Sequence, residues 1–302
     1  MSHVRIEFPP LIHAMAHTPR LSYLICSTPR SGSTLLCEAL ALTGVAGVPE
    51  EYYQHRRKTG LPRRPLEYFE DAHSAEIFEI LGSYTRVDDE PGLFDPRRFE
   101  SYRAYVDWTV ERATTPNGVF GAKVMWGYFN GFVDSLRDVH NAAVMPTRSV
   151  LERTFPNLTG WVFVIRRDKV RQAVSLWKAI QNWTWRRDDS DGALLANDLR
   201  YSFDALDHLV RQLQDHEREW TAFFRENGLL PHWVVYEDLA DRYAETTRDT
   251  LRYLGIDPPD DIGEAGRRMT RQADALSDEW VERYQRDAVG PARTVNAASD
   301  LA

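Results

Sequence analysis

Short, almost wholly apolar runs recur along the chain, each followed by a polar turn and then by apolar residues at helical spacing. Leu21 to Cys26 is the first. Its length and its content of strand formers predict a buried strand, after which the small-residue segment Ser27 to Ser33 leads into a helix from Thr34 to Thr43 that Gly44 ends. Val119 to Trp126, after the turn Pro116-Asn117-Gly118, predicts a second strand, Trp161 to Ile165 a third and Trp233 to Tyr236 a fourth. Phe99 to Arg112 carries Tyr102, Tyr105, Val106 and Thr109 at helical spacing, and Tyr201 to Asn227 shows the same period more strongly. Asp168 is placed to cap a helix in which Val170, Ala173, Val174 and Trp177 form the core-facing stripe, with Gln172 and Ser175 off it. A further helix runs from Glu237-Asp238-Leu239 through Leu254, with Gly255 as its stop.

Strands alternating with helices predict an α/β fold, a central parallel sheet flanked by helices on both faces. We expect a single domain over residues 1–302, its core spanning 20–287. Val45 to Gln54 is turn-rich and Arg56 to Pro65 is a basic, exposed loop. Arg186 to Asp198, with Asp188-Asp189-Ser190-Asp191-Gly192, reads as a mobile connection, and Ala288 to Ala302 as a frayed tail.

Composition narrows the partners. A chain of 302 residues with 43 % hydrophobic content can bury a full core, and a formal net charge of −8 disfavours nucleic acid while leaving room for a local basic pocket. The 2 cysteines, Cys26 and Cys37, sit in apolar surroundings without zinc spacing, so no metal site is expected. No apolar run is long enough to span a membrane and no secretory signal is evident, which predicts a cytoplasmic protein.

The first loop carries the candidate chemistry. A strand, a small-residue loop and a helix N-terminus gather backbone N–H groups and the positive end of a helix dipole at one point, a cradle for an anionic oxygen cluster. Ser31, Gly32, Ser33 and Thr34 form that cradle, and Arg30 adds a guanidinium able to fork onto two oxygens. A nucleoside-triphosphatase loop needs a Gly-Lys pair and a magnesium-binding partner, which are missing, so a nucleotide-dependent kinase is the weaker reading.

The run Tyr23-Leu24-Ile25-Cys26-Ser27-Thr28-Pro29-Arg30-Ser31-Gly32-Ser33-Thr34-Leu35-Leu36 resembles the 5'-phosphosulfate loop of sulfotransferases, with Arg30 where a Lys often stands. Arg166 at the end of a strand and Ser175 on the next helix resemble the superfamily's pair on the 3'-phosphate. Further blocks are similar to the bacterial trehalose 2-sulfotransferase family: Thr43 to Gln54, Thr115 to Trp126, Gln172 to Gln181, and Arg271-Gln272-Ala273-Asp274 with Ser277-Asp278-Glu279-Trp280.

The resemblance implies the PAPS sulfotransferase fold, a P-loop-like central parallel sheet. It implies 3'-phosphoadenosine 5'-phosphosulfate as donor and the hydroxyl of a small sugar-like acceptor as target, with a homodimer possible in such enzymes. It places the general base on Glu51, ahead of Tyr52 and Tyr53, with Glu50 as the rival; a sugar hydroxyl is a poor nucleophile until a carboxylate accepts its proton. Arg30, the loop N–H groups and Lys123 then stabilise charge at the reacting end. Donor contacts are expected from Arg30, Ser31, Gly32, Ser33, Thr34, Arg166, Ser175 and Arg271, and acceptor contacts from Pro49, Glu50, Glu51, Tyr52, Tyr53 and Gln54. Of the other aromatics, Trp126, Trp183 and Trp185 are more readily core residues than sugar platforms.

Trehalose enzymes of the resembled family have Gln before the loop Arg and Glu two residues before Glu50, where this chain has Pro29 and Val48. Lost polar contacts change acceptor preference strongly, so a different glycoside, a glycolipid or a natural-product hydroxyl is an alternative to trehalose. A non-catalytic nucleotide-binding module is a third reading, against which Arg30 and Glu51 argue, since a pure binder needs no base.

Overall fold

The computed structural model describes residues 18–54, 65–82, 98–182, 198–262 and 275–289. Four strands, β1 (Leu21–Ser27), β2 (Val119–Met125), β3 (Leu158–Ile165) and β4 (His232–Val235), form one parallel sheet in the order β2-β1-β3-β4. The two central strands are apolar because both their faces are covered, as the continuous hydrophobic runs predict. Side chains alternate: Leu24, Phe120, Val124 and Phe163 enter one core, and Ile25, Val119, Val162 and Val164 the other.

Helix α1 (Ser33–Leu42) follows β1, α2 (Ala75–Gly82) comes after a 3-10 turn at Pro65–Tyr68, and α3 (Tyr102–Ala113) precedes β2. Helices α4 (Trp126–Val139) and α5 (Thr147–Thr154) lead to β3, while α6 (Lys169–Asn182) and α7 (Phe203–Glu226) lead from it to β4. Helices α8 (Tyr236–Asp241), α9 (Tyr243–Tyr253) and α10 (Ala275–Val289) complete the described chain. Helices α3, α4, α5 and the end of α7 cover one face of the sheet; α1, α8 and α9 cover the other. A third apolar cluster holds no strand residue and joins α2, α6, α10 and the start of α7.

Several boundaries move for local reasons. The second and fourth strands stop one residue early, because Trp126 and Tyr236 open helices directly. The helix expected through Leu254 breaks at Arg242, whose φ of −124° and ψ of 52° are not helical. Helix α4 has a clear stripe, with Tyr128, Phe129, Phe132, Val133 and Leu136 buried. Helix α6 is buried on more than its expected stripe, since it packs between α7 and α10. The last helix extends to Val289, two residues into the expected tail. The basic loop after Gln54, the acidic connection and the rest of the tail lie outside the described residues.

Candidate active site

The strand ends Ser27, Met125, Ile165 and Val235 share one edge of the sheet, where a parallel α/β fold presents its loops to a ligand. Beyond Ser27 the chain turns sharply, with Arg30 at φ 60° and Gly32 at φ 87°. Gly32 is the N-cap of α1 and supplies no side-chain cap, so the first-turn N–H groups stay open to a ligand. A Cβ at Gly32 would overlap the ring of Tyr236, so the position requires glycine for space as well as for φ. Ser31 is fully buried, and its Oγ has no hydrogen-bond partner among the described residues. A buried hydroxyl and open N–H groups at one helix start are donors suited to an anion.

Three residues from separate segments converge next to this loop. Arg30 donates from Nε to Ser175 Oγ at 3.0 Å, and Arg166 donates from Nη1 to the Arg30 carbonyl at 3.3 Å. The Arg166 guanidinium lies over the Tyr236 ring, 4.6 Å from its centre. Burial, and then the neighbouring Arg166 cation, lower the pKa of Arg30; burial also lowers that of Arg166. Like charges gathered in a desolvated place repel, and an anion between them relieves the cost.

Several carboxylates hold the turn that carries Arg166. Glu237 accepts from the N–H groups of Arg167 and Asp168 at 3.1 and 3.3 Å, and Asp168 caps α6 by accepting from Arg171 N at 2.8 Å. Lys169 pairs with Glu217 at 2.8 Å and also donates to the Arg166 carbonyl. On the other side of the loop, Trp220 donates from Nε1 to the Ser27 carbonyl at 3.0 Å.

The second centre lies at the strap Val45–Tyr53, which runs along the free edge of β2. Gly47, at φ 74°, turns the chain where a Cβ would press on the backbone of Gly121 and Val119. Val48 N then donates to the Ala113 carbonyl and Lys123 N to the Glu50 carbonyl, both at 2.9 Å. This pairing sets Glu51 beside the Lys123 side chain: Nζ lies 3.1 Å from Glu51 Oε2 and donates to Thr34 Oγ1 at 3.2 Å. Burial of Lys123 pulls its pKa down, but the charge and hydrogen bond of Glu51, with the charge of Glu50, act against it and the net shift is upward, so the ammonium persists. Burial pushes the Cys37 thiol up to about 12, keeping it protonated and unreactive.

Arg30, expected to act at the reacting end, donates from its side chain to Ser175 while its carbonyl accepts from Arg166; the cation beside Glu51 is Lys123. Tyr52 and Tyr53, expected to face the acceptor, are 5 % and 1 % exposed. Tyr53 stacks on Phe132 with ring centres 4.8 Å apart, and the Tyr52 hydroxyl donates to the Val48 carbonyl at 2.5 Å. Aromatic bulk there anchors the strap, and Pro49 is buried with it, while Gln54 is exposed. Trp126 packs against Trp220 in the core, as expected. Arg271, Trp183 and Trp185 lie outside the described residues.

Tyr236 escaped the reading of the sequence, although an aromatic directly after a buried parallel strand is in the right place to meet a ligand. A polar groove of about 650 Å³, lined by Ser74, Asp204, His208, Gln212 and His216 among others, contains none of the expected site residues. Among the described residues no group of His, Cys, Asp and Glu is placed to hold a metal ion, and no helix is long and apolar enough to cross a membrane.

An open helix N-terminus, convergent guanidiniums and a carboxylate–ammonium pair thus lie at one edge of this α/β sheet, and comparison with known proteins gives the class of enzyme. Residues 22–287 match the family model described as Stf0 sulphotransferase. The chain belongs to that family.

It is similar to the trehalose 2-sulfotransferase of Mycolicibacterium smegmatis, at 36 % identity over 271 residues, covering 88 % of this chain and 95 % of the relative. The trehalose 2-sulfotransferase of Mycobacterium tuberculosis is 33 % identical with the same coverage. Among solved structures, the sulfotransferase domain of the Synechococcus PCC 7002 olefin synthase superposes with a TM-score of 0.37 at 15 % identity, covering 92 % of this chain and 98 % of that one. Sulfotransferase STF9 from Mycobacterium avium gives 0.38 at 13 % identity, covering 91 % and 70 %.

Proposed function

We propose that this sulfotransferase moves the sulfuryl group of 3'-phosphoadenosine 5'-phosphosulfate to a hydroxyl of a sugar-like acceptor, with Glu51 as general base. The observation that carries the reading is the Lys123 ammonium, bridging the Glu51 carboxylate at 3.1 Å and Thr34, in the first turn of the open helix, at 3.2 Å. It joins a proton acceptor to an anion cradle through one buried positive charge.

In this scheme the acceptor oxygen attacks sulfur and its proton passes to Glu51. The bond from sulfur to the bridging phosphate oxygen breaks, leaving its electron pair on 3'-phosphoadenosine 5'-phosphate. Lys123 and the first-turn N–H groups of α1 stabilise the charge that grows on that oxygen. Arg30, Arg166 and Ser175 hold the 3'-phosphate, where two cations match a dianion. The Stf0 membership and the two trehalose 2-sulfotransferase relatives support a sugar acceptor; Pro29 and Val48, which replace polar residues expected in trehalose enzymes, favour a related glycoside or glycolipid. The test is incubation with the phosphosulfate donor and a panel of trehalose, other glycosides, glycolipids and non-sugar alcohols, followed by mass spectrometry. Sulfated sugar products are expected; sulfation of the non-sugar alcohols alone would overturn the acceptor class.

A further inference from the structure

We infer that Gln172 is a positioning residue for the anion loop, gripping the peptide before Arg30 so that the Arg30 guanidinium is delivered to Ser175. Gln172 is fully buried, against the expectation that it lies off the core side of α6. Its Nε2 donates to the Pro29 carbonyl at 2.7 Å and to Thr28 Oγ1 at 2.9 Å. The Pro29 carbonyl only accepts, which fixes the amide's orientation.

The geometry gives this contact a purpose beyond packing. Arg30 adopts φ 60°, a left-handed conformation that a residue with a Cβ enters only at a cost. The peptide planes on both sides of it are held: the Pro29 carbonyl by Gln172, and the Arg30 carbonyl by Arg166 Nη1 at 3.3 Å. The side chain is held as well, by Ser175 at 3.0 Å. Gln172 and Ser175 stand three residues apart, hence on the same face of α6. One helix thus fixes the Arg30 backbone with one residue and its guanidinium with another. A loop free to relax to negative φ would withdraw the guanidinium from this cluster.

The test is amide hydrogen exchange on the full-length, ligand-free protein, comparing wild type with Gln172→Met, which keeps volume and removes the donor. Exchange in peptides covering residues 28–33 should rise about ten-fold, from two lost hydrogen bonds, while peptides from β3 and α7 stay unchanged. Unchanged loop exchange, or faster exchange throughout, overturns the inference. Thr28→Val removes one of the two bonds without touching Gln172. It should give a smaller rise in the same peptides and add nothing to Gln172→Met; no rise sinks the inference even if the Gln172 variant fails to fold. In turnover, Gln172→Met should raise the KM for the phosphosulfate donor about ten-fold, with the acceptor KM and the kcat at saturating donor held within about two-fold. This last arm rests on the proposed donor. A wild type that binds no such nucleotide defeats the donor assignment and leaves the exchange result to decide on Gln172.

Discussion

The two charged centres at the sheet edge are built on opposite plans. Around Ser175, Arg30 and Arg166 bring like charges together beside the Ser31 hydroxyl, which has no partner among the described residues. Beside the strap, Lys123 and Glu51 neutralise each other directly, and Thr34 takes a further hydrogen bond from Lys123. The first plan concentrates positive charge, and the second balances it within one ion pair. Under the proposed function, the difference separates holding a donor from activating an acceptor.

Breaking the second centre should separate the two functions most widely. Glu51→Gln removes the proton acceptor while keeping the shape, and kcat should fall by about 10²- to 10⁴-fold, while calorimetric affinity for 3'-phosphoadenosine 5'-phosphate stays within about two-fold. Near-normal turnover would move the base elsewhere. Arg166→Met acts on the first centre. Loss of a charge-assisted contact of about 1.5–3 kcal/mol should weaken 3'-phosphoadenosine 5'-phosphate by about ten- to hundred-fold, with a much smaller effect on adenosine 5'-monophosphate, which has no 3'-phosphate. Equal loss for both nucleotides would place Arg166 elsewhere on the donor. The smallest effect is expected from Tyr53→Phe: the ring lies in the core, so the acceptor KM should change by less than about two-fold. A large rise would return Tyr53 to the acceptor.

The first centre was legible in the sequence because its residues follow apolar runs whose ends converge in any parallel sheet: Arg30 after β1, and Arg166 and Ser175 after β3. What the sequence left open was direction. A long guanidinium at Arg30 can reach in several directions, and only the backbone at φ 60° with its hydrogen bond to Ser175 selects one. Lys123 was visible as a lone charge in an apolar strand, and the structure adds its partner. Tyr52 and Tyr53 are buried, which the sequence did not show, because an aromatic next to a loop carboxylate looks the same whether it faces a ligand or the core. Gln172 had no legible signal, since a buried amide is distinguished from a solvated one only by partners remote in sequence, here Thr28 and Pro29.

Under the proposed function the paired arginines recognise a 3'-phosphate. Calorimetric titration of the wild-type protein with 3'-phosphoadenosine 5'-phosphate, adenosine 5'-monophosphate, and ATP with magnesium tests it most directly. Tight binding of the first is expected, with binding of the other two weaker by at least about ten-fold, the worth of one charge-assisted contact. Equal affinity for the two monophosphate-chain nucleotides, or preference for ATP with magnesium, would contradict it.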